Sequence, residues 1–268
     1  MVEPFIVISA PNGARRQKTD HPDLPITPTE IAACAEEIVA AGASVLHLHV
    51  RDNNNQHSLD VDRYRASIKA IRDVVGEQLI IQVTSEAVGK YNSTQQMGMI
   101  KELKPEAVSL ALRELCPADA DITEAAKFFS WLRSEKIFPQ YILYDQKDCR
   151  RFEDYCRRGI FVDDNPFVLF VVGRAGTDIQ REKIMTDIAK GTSNPWAVCG
   201  FGVAEISLVS FAAEHSGHIR VGFENNIHNG SQQLLSGHGE MIDICQQAAN
   251  KTERKIATAD NVRNLFSL

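Results

Sequence analysis

A chain of 268 residues with 44% apolar and 24% charged residues can bury one large core, which points to a single domain built as a barrel or a large α/β sheet. Its formal net charge of -6, without any block of like charge, argues against nucleic acid or a membrane surface as the main partner. No apolar run reaches bilayer length and Met1-Val2-Glu3-Pro4 lacks the basic and apolar parts of a signal peptide, so a cytoplasmic location is expected.

The first strand runs from Phe5 to Ala10 and stops at the turn residues Pro11-Asn12-Gly13. Thr27-Pro28-Thr29-Glu30 then marks a helix start, with Thr27 as N-cap, Pro28 at the first helical position and Glu30 reaching back as in a capping box. That helix runs to Ala41-Gly42, and the second strand follows as Leu46-His47-Leu48-His49-Val50-Arg51-Asp52. Helix and strand then alternate: helix 62–75, strand Leu79 to Glu86, helix 94–103, strand Ala107 to Arg113, helix 122–135, strand Phe138 to Tyr144, helix 146–158 and strand Pro166 to Val172. Strand seven is Trp196 to Gly202, a helix covers 204–215, strand eight is Ile219 to Glu224, and helical segments at 239–249 and 259–266 close the chain.

Eight strand-helix units in roughly 250 residues have the size of a (β/α)8 TIM barrel spanning 1–268 as one domain, with parallel strands and right-handed crossovers. A doubly wound open sheet is the alternative, but the turn after the first strand supplies only one glycine where a phosphate-binding fingerprint needs several. The six cysteines, Cys34, Cys116, Cys149, Cys156, Cys199 and Cys245, form no Cys-x-x-Cys pair and read as free, mostly buried thiols. Cys199 lies in a strand-like run and reads as a small buried residue there.

In such a barrel the chemistry sits at the C-terminal strand ends. A period of two puts His47, His49 and Arg51 on one face of the second strand, where both imidazoles can reach one ion at about 2.0–2.1 Å. A pair of hydrogen-bonded core histidines is the alternative. The same alternation turns Gln82, Thr84 and Glu86 of strand three, and Ser109, Ala111 and Arg113 of strand four, toward the axis, with Leu79, Ile81 and Val83 left to the helices. Strand eight places Arg220, Gly222 and Glu224 on one face, so that Glu224 leans toward the histidines. Two histidines and a carboxylate leave coordination positions open, as a catalytic zinc or ferrous site requires; the alternatives are a solvated Glu224 and an Arg220 serving as a structural ion-pair partner. Gly173-Arg174-Ala175-Gly176 and Gly200-Phe201-Gly202 could each expose backbone donors to a phosphate, or be plain turns.

The chain resembles the β-keto acid cleavage enzymes along nearly its whole length, in Asn12-Gly13-Ala14, Leu24-Pro25-Ile26-Thr27-Pro28, His47-Leu48-His49-Val50-Arg51, Lys104-Pro105-Glu106 and Gly217-His218-Ile219-Arg220-Val221-Gly222-Phe223-Glu224. The resemblance implies a TIM barrel that holds a divalent metal, usually zinc (Zn2+), at His47, His49 and Glu224, and that associates with copies of itself. It also implies conversion of a β-keto acid and acetyl-CoA to acetoacetate and a new acyl-CoA, by enolate attack, CoA transfer and retro-Claisen cleavage. Arg220 matches the family's active-site arginine and Thr84 its Ser or Thr.

Three departures stand out. The family's Glu-Asp-Asn after strand eight is Glu224-Asn225-Asn226, so the aspartate assigned proton abstraction is an amide; Gly-Gly in strand three is Glu86-Ala87; and Gly-Arg after strand seven is Gly202-Val203. Glu86 is therefore the candidate base, held ionised by Arg113 about 5 Å away on the neighbouring strand, with a rim ion pair of little consequence as the alternative. Asn12, Arg15, Arg51, Arg113 and Arg174 are the candidate substrate contacts. Arg15, Arg16 and Lys18 at the mouth predict a substrate tail that is neutral or anionic. Asn225 also leaves open a metal-binding barrel with little turnover. A metallohydrolase is disfavoured because its further histidines are missing from strands five and six.

Overall fold

The computed structural model describes residues 3–117, 122–163, 165–174, 184 and 194–267. Its strands in chain order are β1 (Val7–Ser9), β2 (Val45–Leu48), β3 (Val50–Arg51), β4 (His57–Ser58), β5 (Ile80–Thr84), β6 (Ala107–Ala111), β7 (Phe138–Leu143), β8 (Phe167–Val172), β9 (Trp196–Gly200) and β10 (His218–Val221). The helices are α1 (Pro28–Ala40), α2 (Val61–Val75), α3 (Ser93–Leu103), α4 (Leu112–Leu115), α5 (Thr123–Ser134), α6 (Gln146–Arg157), α7 (Ala204–Glu214), α8 (His238–Lys251) and α9 (Ala259–Phe266). Eight strands close into a parallel barrel in the order β1-β2-β5-β6-β7-β8-β9-β10, with β10 returning to β1. β3 and β4 form a separate antiparallel ribbon beside the mouth. No described helix is long and apolar enough to cross a membrane.

Local chemistry sets the helix starts. Thr27 Oγ1 accepts the Glu30 N–H at 3.3 Å and Glu30 Oε2 accepts the Thr27 N–H at 2.9 Å, the expected capping box; Asn92 and Gln95 form a second box at α3, and Asp60 caps α2 by accepting the Arg63 N–H. The strands separate two apolar layers. Leu79, Ile81 and Val83 pack outward with the helices, whereas Ile8, Val45, Ile80, Ala107, Ile142, Leu169 and Cys199 fill the barrel. All six cysteines are unbridged, and only Cys156 is exposed. At the N-terminal end α9 plugs the barrel, with Phe266 stacked on Phe138 at 4.0 Å between ring centroids. Such a pair adds about 0.5–1.5 kcal/mol beyond burial, which favours a bottom that stays shut and leaves the C-terminal mouth as the way in.

Several strands end earlier than alternation predicts, β5 at Thr84 and β9 at Gly200 among them, and three of these ends decide where site residues go. β2 stops at Leu48, and His49 sits at a break before the chain leaves for the β3–β4 ribbon, so Arg51 belongs to that ribbon. β6 stops at Ala111, where the chain turns into α4 and carries Arg113 off the inner face. β10 stops at Val221. Gly222 follows with φ +134°, and a β-carbon there would stand 2.5 Å from the Ala10 carbonyl oxygen, so glycine lets the chain cross the end of β1. The Glu224 N–H then donates to Ala10 O at 3.0 Å, so Glu224 is aimed by this crossing.

Candidate active site

His47, His49 and Glu224 meet at the C-terminal mouth. Asn12 fixes the break in β2: its Nδ2 donates to the His49 carbonyl at 2.9 Å and its Oδ1 accepts the His49 N–H at 3.4 Å. Arg51 reinforces the same corner from behind, donating to the carbonyls of Gly13 (3.0 Å), Asn12 (3.3 Å), Arg16 (3.0 Å) and Asn55 (2.8 Å). Gly13, with φ +59°, makes room for the carboxylate, because a β-carbon there would lie 2.5 Å from Glu224 Cγ. The two histidine Nε2 atoms are 3.1 Å apart, Glu224 Oε1 is 3.6 Å from His49 Nε2, and Glu224 Oε2 is 3.7 Å from His47 Nε2.

On His47 the surroundings turn the Nε2 lone pair inward. Gln82 Nε2 donates to Gln140 Oε1 at 3.2 Å, so its own oxygen faces His47 Nδ1 at 2.8 Å; Nδ1 carries the hydrogen and Nε2 the lone pair. Burial, aided by the charge of Arg220, pushes His47 well below the usual histidine range, and burial with His47 does the same to His49. Burial raises the Glu224 carboxyl against the pull of Arg220, and Glu224 Oε2 is buried with no hydrogen-bond partner. Ligands around one tetrahedral ion with bonds of about 2.0–2.1 Å stand roughly 3.4 Å apart. The observed separations of 3.1, 3.6 and 3.7 Å bracket that spacing, so the three residues could hold one divalent transition metal.

Arg220, also buried, lies 3.3 Å from His47 Nε2 through Nη1 and 3.4 Å from Glu224 Oε1 through Nη2. Its Nε has no partner, so one face of the guanidinium is left for an acceptor. Thr84 lines the same cavity, and its Oγ1 accepts the Glu86 N–H at 3.1 Å.

Glu86 also lines the cavity, but its partner differs from the expected one. Arg113 sits on α4 and pairs with Asp145 (2.5 Å) and Asp148 (2.6 Å), stacking over the Tyr144 ring at 4.6 Å, so it supports the cavity wall from outside. Glu86 Oε1 instead accepts from Arg174 Nη2 at 2.9 Å and Arg15 Nη1 at 3.0 Å. Burial works against the Glu86 charge, yet Arg174 and then Arg15 outweigh it and hold the carboxyl below its ordinary range. Of the basic loop, Lys18 pairs with Glu30 at 2.8 Å and Arg16 reaches the Asn225 carbonyl at 3.4 Å. Ala175 and Gly176 of the expected phosphate turn lie outside the described residues.

Asn225 is buried away from the cavity lining. Its Nδ2 donates to Arg220 O at 3.0 Å and to Glu205 Oε1 at 3.4 Å, and Glu205 also accepts the Gly222 N–H at 3.0 Å. Burial pushes the Glu205 carboxyl up to about 8, so this pair is an amide against a largely neutral acid. Sequence reading missed Glu205, since α7 carries no motif around it. It also missed His57, whose Nδ1 lies 3.4 Å from His49 Nδ1 and whose Nε2 lies 2.9 Å from Glu86 O. The turn-rich run Asp52-Asn53-Asn54-Asn55 was the available signal, because a hairpin there sets His57 opposite Arg51.

Fold and site together define a (β/α)8 barrel with a two-histidine, one-carboxylate cluster open at its C-terminal mouth. Residues 4–268 match the beta-keto acid cleavage enzyme family, and the chain belongs to it. The 3-keto-5-aminohexanoate cleavage enzyme of Fusobacterium nucleatum is 29% identical over 274 residues, covering 100% of this chain and 99% of the relative. The 3-oxoadipate:acetyl-CoA acetyltransferase of Cupriavidus necator is 24% identical over 277 residues, covering 100% and 96%. Among solved structures, apo ObcA superposes with a TM-score of 0.73 at 16% identity, over 92% of this chain and 66% of that longer one, a likeness of fold.

Proposed function

We propose that this chain is a metal-dependent β-keto acid cleavage enzyme that converts a β-keto acid and acetyl-CoA to acetoacetate and a new acyl-CoA. The observation that carries the reading is the His47, His49, Glu224 cluster: two imidazole nitrogens and a buried carboxylate whose Oε2 has no hydrogen-bond partner, at ligand spacing, in a barrel of this family. A bound Zn2+ or other divalent ion would supply Lewis acidity toward the keto acid. Arg220 holds the substrate carboxylate with its free guanidinium edge. Glu86 removes a proton from the carbon between carboxylate and ketone, and that carbon attacks the acetyl thioester, expelling CoA thiolate. The thiolate adds to the former ketone, the bond to the acetylated carbon breaks, and the protonated Glu86 returns its proton to that carbon, so acetoacetate and acyl-CoA leave with Glu86 again ionised. Thr84 holds the Glu86 backbone in reach, and Arg174 and Arg15 keep Glu86 ionised between turnovers.

The two guanidiniums against one carboxylate leave net positive charge at the mouth, which supports a neutral or anionic substrate tail over an ammonium. Incubating the zinc-loaded protein with acetyl-CoA and β-keto acids of neutral, anionic and cationic tails, and assaying acetoacetate, tests the reading. Turnover is expected with neutral or anionic tails. A fully metal-loaded protein that makes no acetoacetate from any of them would leave a metal-binding barrel without this activity.

A further inference from the structure

We infer that His57 is a positioning residue that fixes the ring tautomer of His49 and so holds its Nε2 lone pair toward the metal position. The inference rests on the proposed reading of His47, His49 and Glu224 as ligands. It starts from a group whose role is unambiguous: the Glu86 carbonyl oxygen can only accept, so His57 Nε2, at 2.9 Å, carries the hydrogen. The ring with its hydrogen on Nε2 has a bare Nδ1, and its two nitrogens face a carbonyl and an imidazole rather than a carboxylate that would draw a second hydrogen. That bare Nδ1 faces His49 Nδ1 at 3.4 Å, a pairing that requires the hydrogen on His49 Nδ1. The His49 Nε2 is left without one and points at its counterpart on His47, 3.1 Å away, which the Gln82 amide has stripped in the same manner from the other side.

Two facing lone pairs repel unless a cation serves both, and Arg220 Nη1, 3.3 Å from His47 Nε2, reaches one of them, so the relay and the glutamine serve one end. The β3–β4 ribbon gives the relay its stiffness, since His57 is paired opposite Arg51 and Arg51 is bonded to four backbone carbonyls around the site. The relay also ties the backbone of Glu86, the proposed base, to a metal ligand, so the spacing between the two is set by one hydrogen-bonded chain.

Removing such an outer partner typically weakens metal binding 10–100-fold. In competition with a chromophoric chelator, His57→Phe, which keeps an aromatic ring but no acceptor, is expected to bind Zn2+ roughly 10–100-fold more weakly than the unaltered chain. His57→Asn places an amide oxygen where Nδ1 stood and should recover most of that loss, which a space-filling role would not explain. Long-range proton–nitrogen correlations of the imidazoles in the unaltered protein provide a second readout that needs no variant. Hydrogens on His57 Nε2 and His49 Nδ1 are expected. A hydrogen on His57 Nδ1, or a His57→Phe affinity within about threefold of the unaltered chain, overturns the inference while leaving the ligand assignment standing. If the unaltered chain binds no Zn2+, the ligand assignment itself fails and this inference with it.

Discussion

Glu224 and Glu86 line one cavity and are buried alike, with side chains 10% and 9% exposed, yet the protein treats them in opposite ways. Glu86 receives two guanidinium donors on a single oxygen and is held ionised by them. Glu224 meets one arginine at 3.4 Å and two imidazole nitrogens at 3.6 and 3.7 Å, which cannot donate, and its second oxygen has no partner. A buried carboxylate oxygen without a partner is costly in a native fold, and this one stands at ligand spacing from two imidazole nitrogens, as the proposed metal site requires. Glu86 is satisfied within the chain and is free to do chemistry without it. The same side chain is thus given two different surroundings by its neighbours alone, and the proposed roles follow that difference.

The sharpest way to break this contrast is to neutralise each carboxylate in turn. Glu224→Gln should lose the metal and, with it, about 4 kcal/mol of transition-state stabilisation, roughly a 10³-fold fall in turnover. Glu86→Gln should keep its metal. Elemental analysis of both purified variants decides, and metal loss from Glu86→Gln, or full retention by Glu224→Gln, would show that the two carboxylates are not divided as described.

A smaller effect separates the two places a base could stand. Glu86→Gln should lower turnover about 10²-fold, the lower end of general base catalysis. Asn225→Asp should change little, because position 225 is turned toward Arg220 O and Glu205 and lies off the cavity lining. Steady-state rates for the two variants test this together. A silent Glu86→Gln beside a strongly activated Asn225→Asp would move the base to 225.

Much of this was legible in the sequence, and what was not has a common cause. The barrel follows from strand-helix alternation, and the capping box at Thr27 and the outward face of Leu79, Ile81 and Val83 follow from local chemistry and period two. The meeting of His47, His49 and Glu224 was legible because period two on the second and eighth strands aims all three at the mouth, although His49 stands just past the end of β2. The errors fall where strands end. Period two continues on paper through His49 to Arg51, through Ala111 to Arg113 and through Val221 to Glu224, whereas the chain breaks at His49, turns helical at Leu112 and crosses β1 at Gly222. These breaks are set by partners distant in sequence, Asn12, Asp148 and Ala10, which no local pattern reveals. Arg113 was misplaced for that reason, and Arg174, 88 residues from Glu86, was not recognised as its partner.

The least disruptive test asks whether the two arginines hold Glu86 as unequally as their positions imply. Arg174 is 21% exposed and is the first influence holding the Glu86 carboxyl down, whereas Arg15 is 61% exposed and comes after it. Solvent screens the outer pair, so its contribution is the smaller one. Because the folded-state value of Glu86 is depressed, the favourable interaction is present above the ordinary carboxylate range and is lost as pH falls through the folded value. Removing a guanidinium weakens that hold, so the acid limb of kcat/KM should move to higher pH, further in Arg174→Ala than in Arg15→Ala. At neutral pH the carboxylate stays ionised in both, and rates should remain within about tenfold of the unaltered enzyme, less than the loss from removing a base. A pH profile in which Arg15→Ala shifts the limb as far as Arg174→Ala would mean that exposure does not rank the two partners. A profile in which neither shifts would mean that the limb belongs to another group and that Glu86 is not the base.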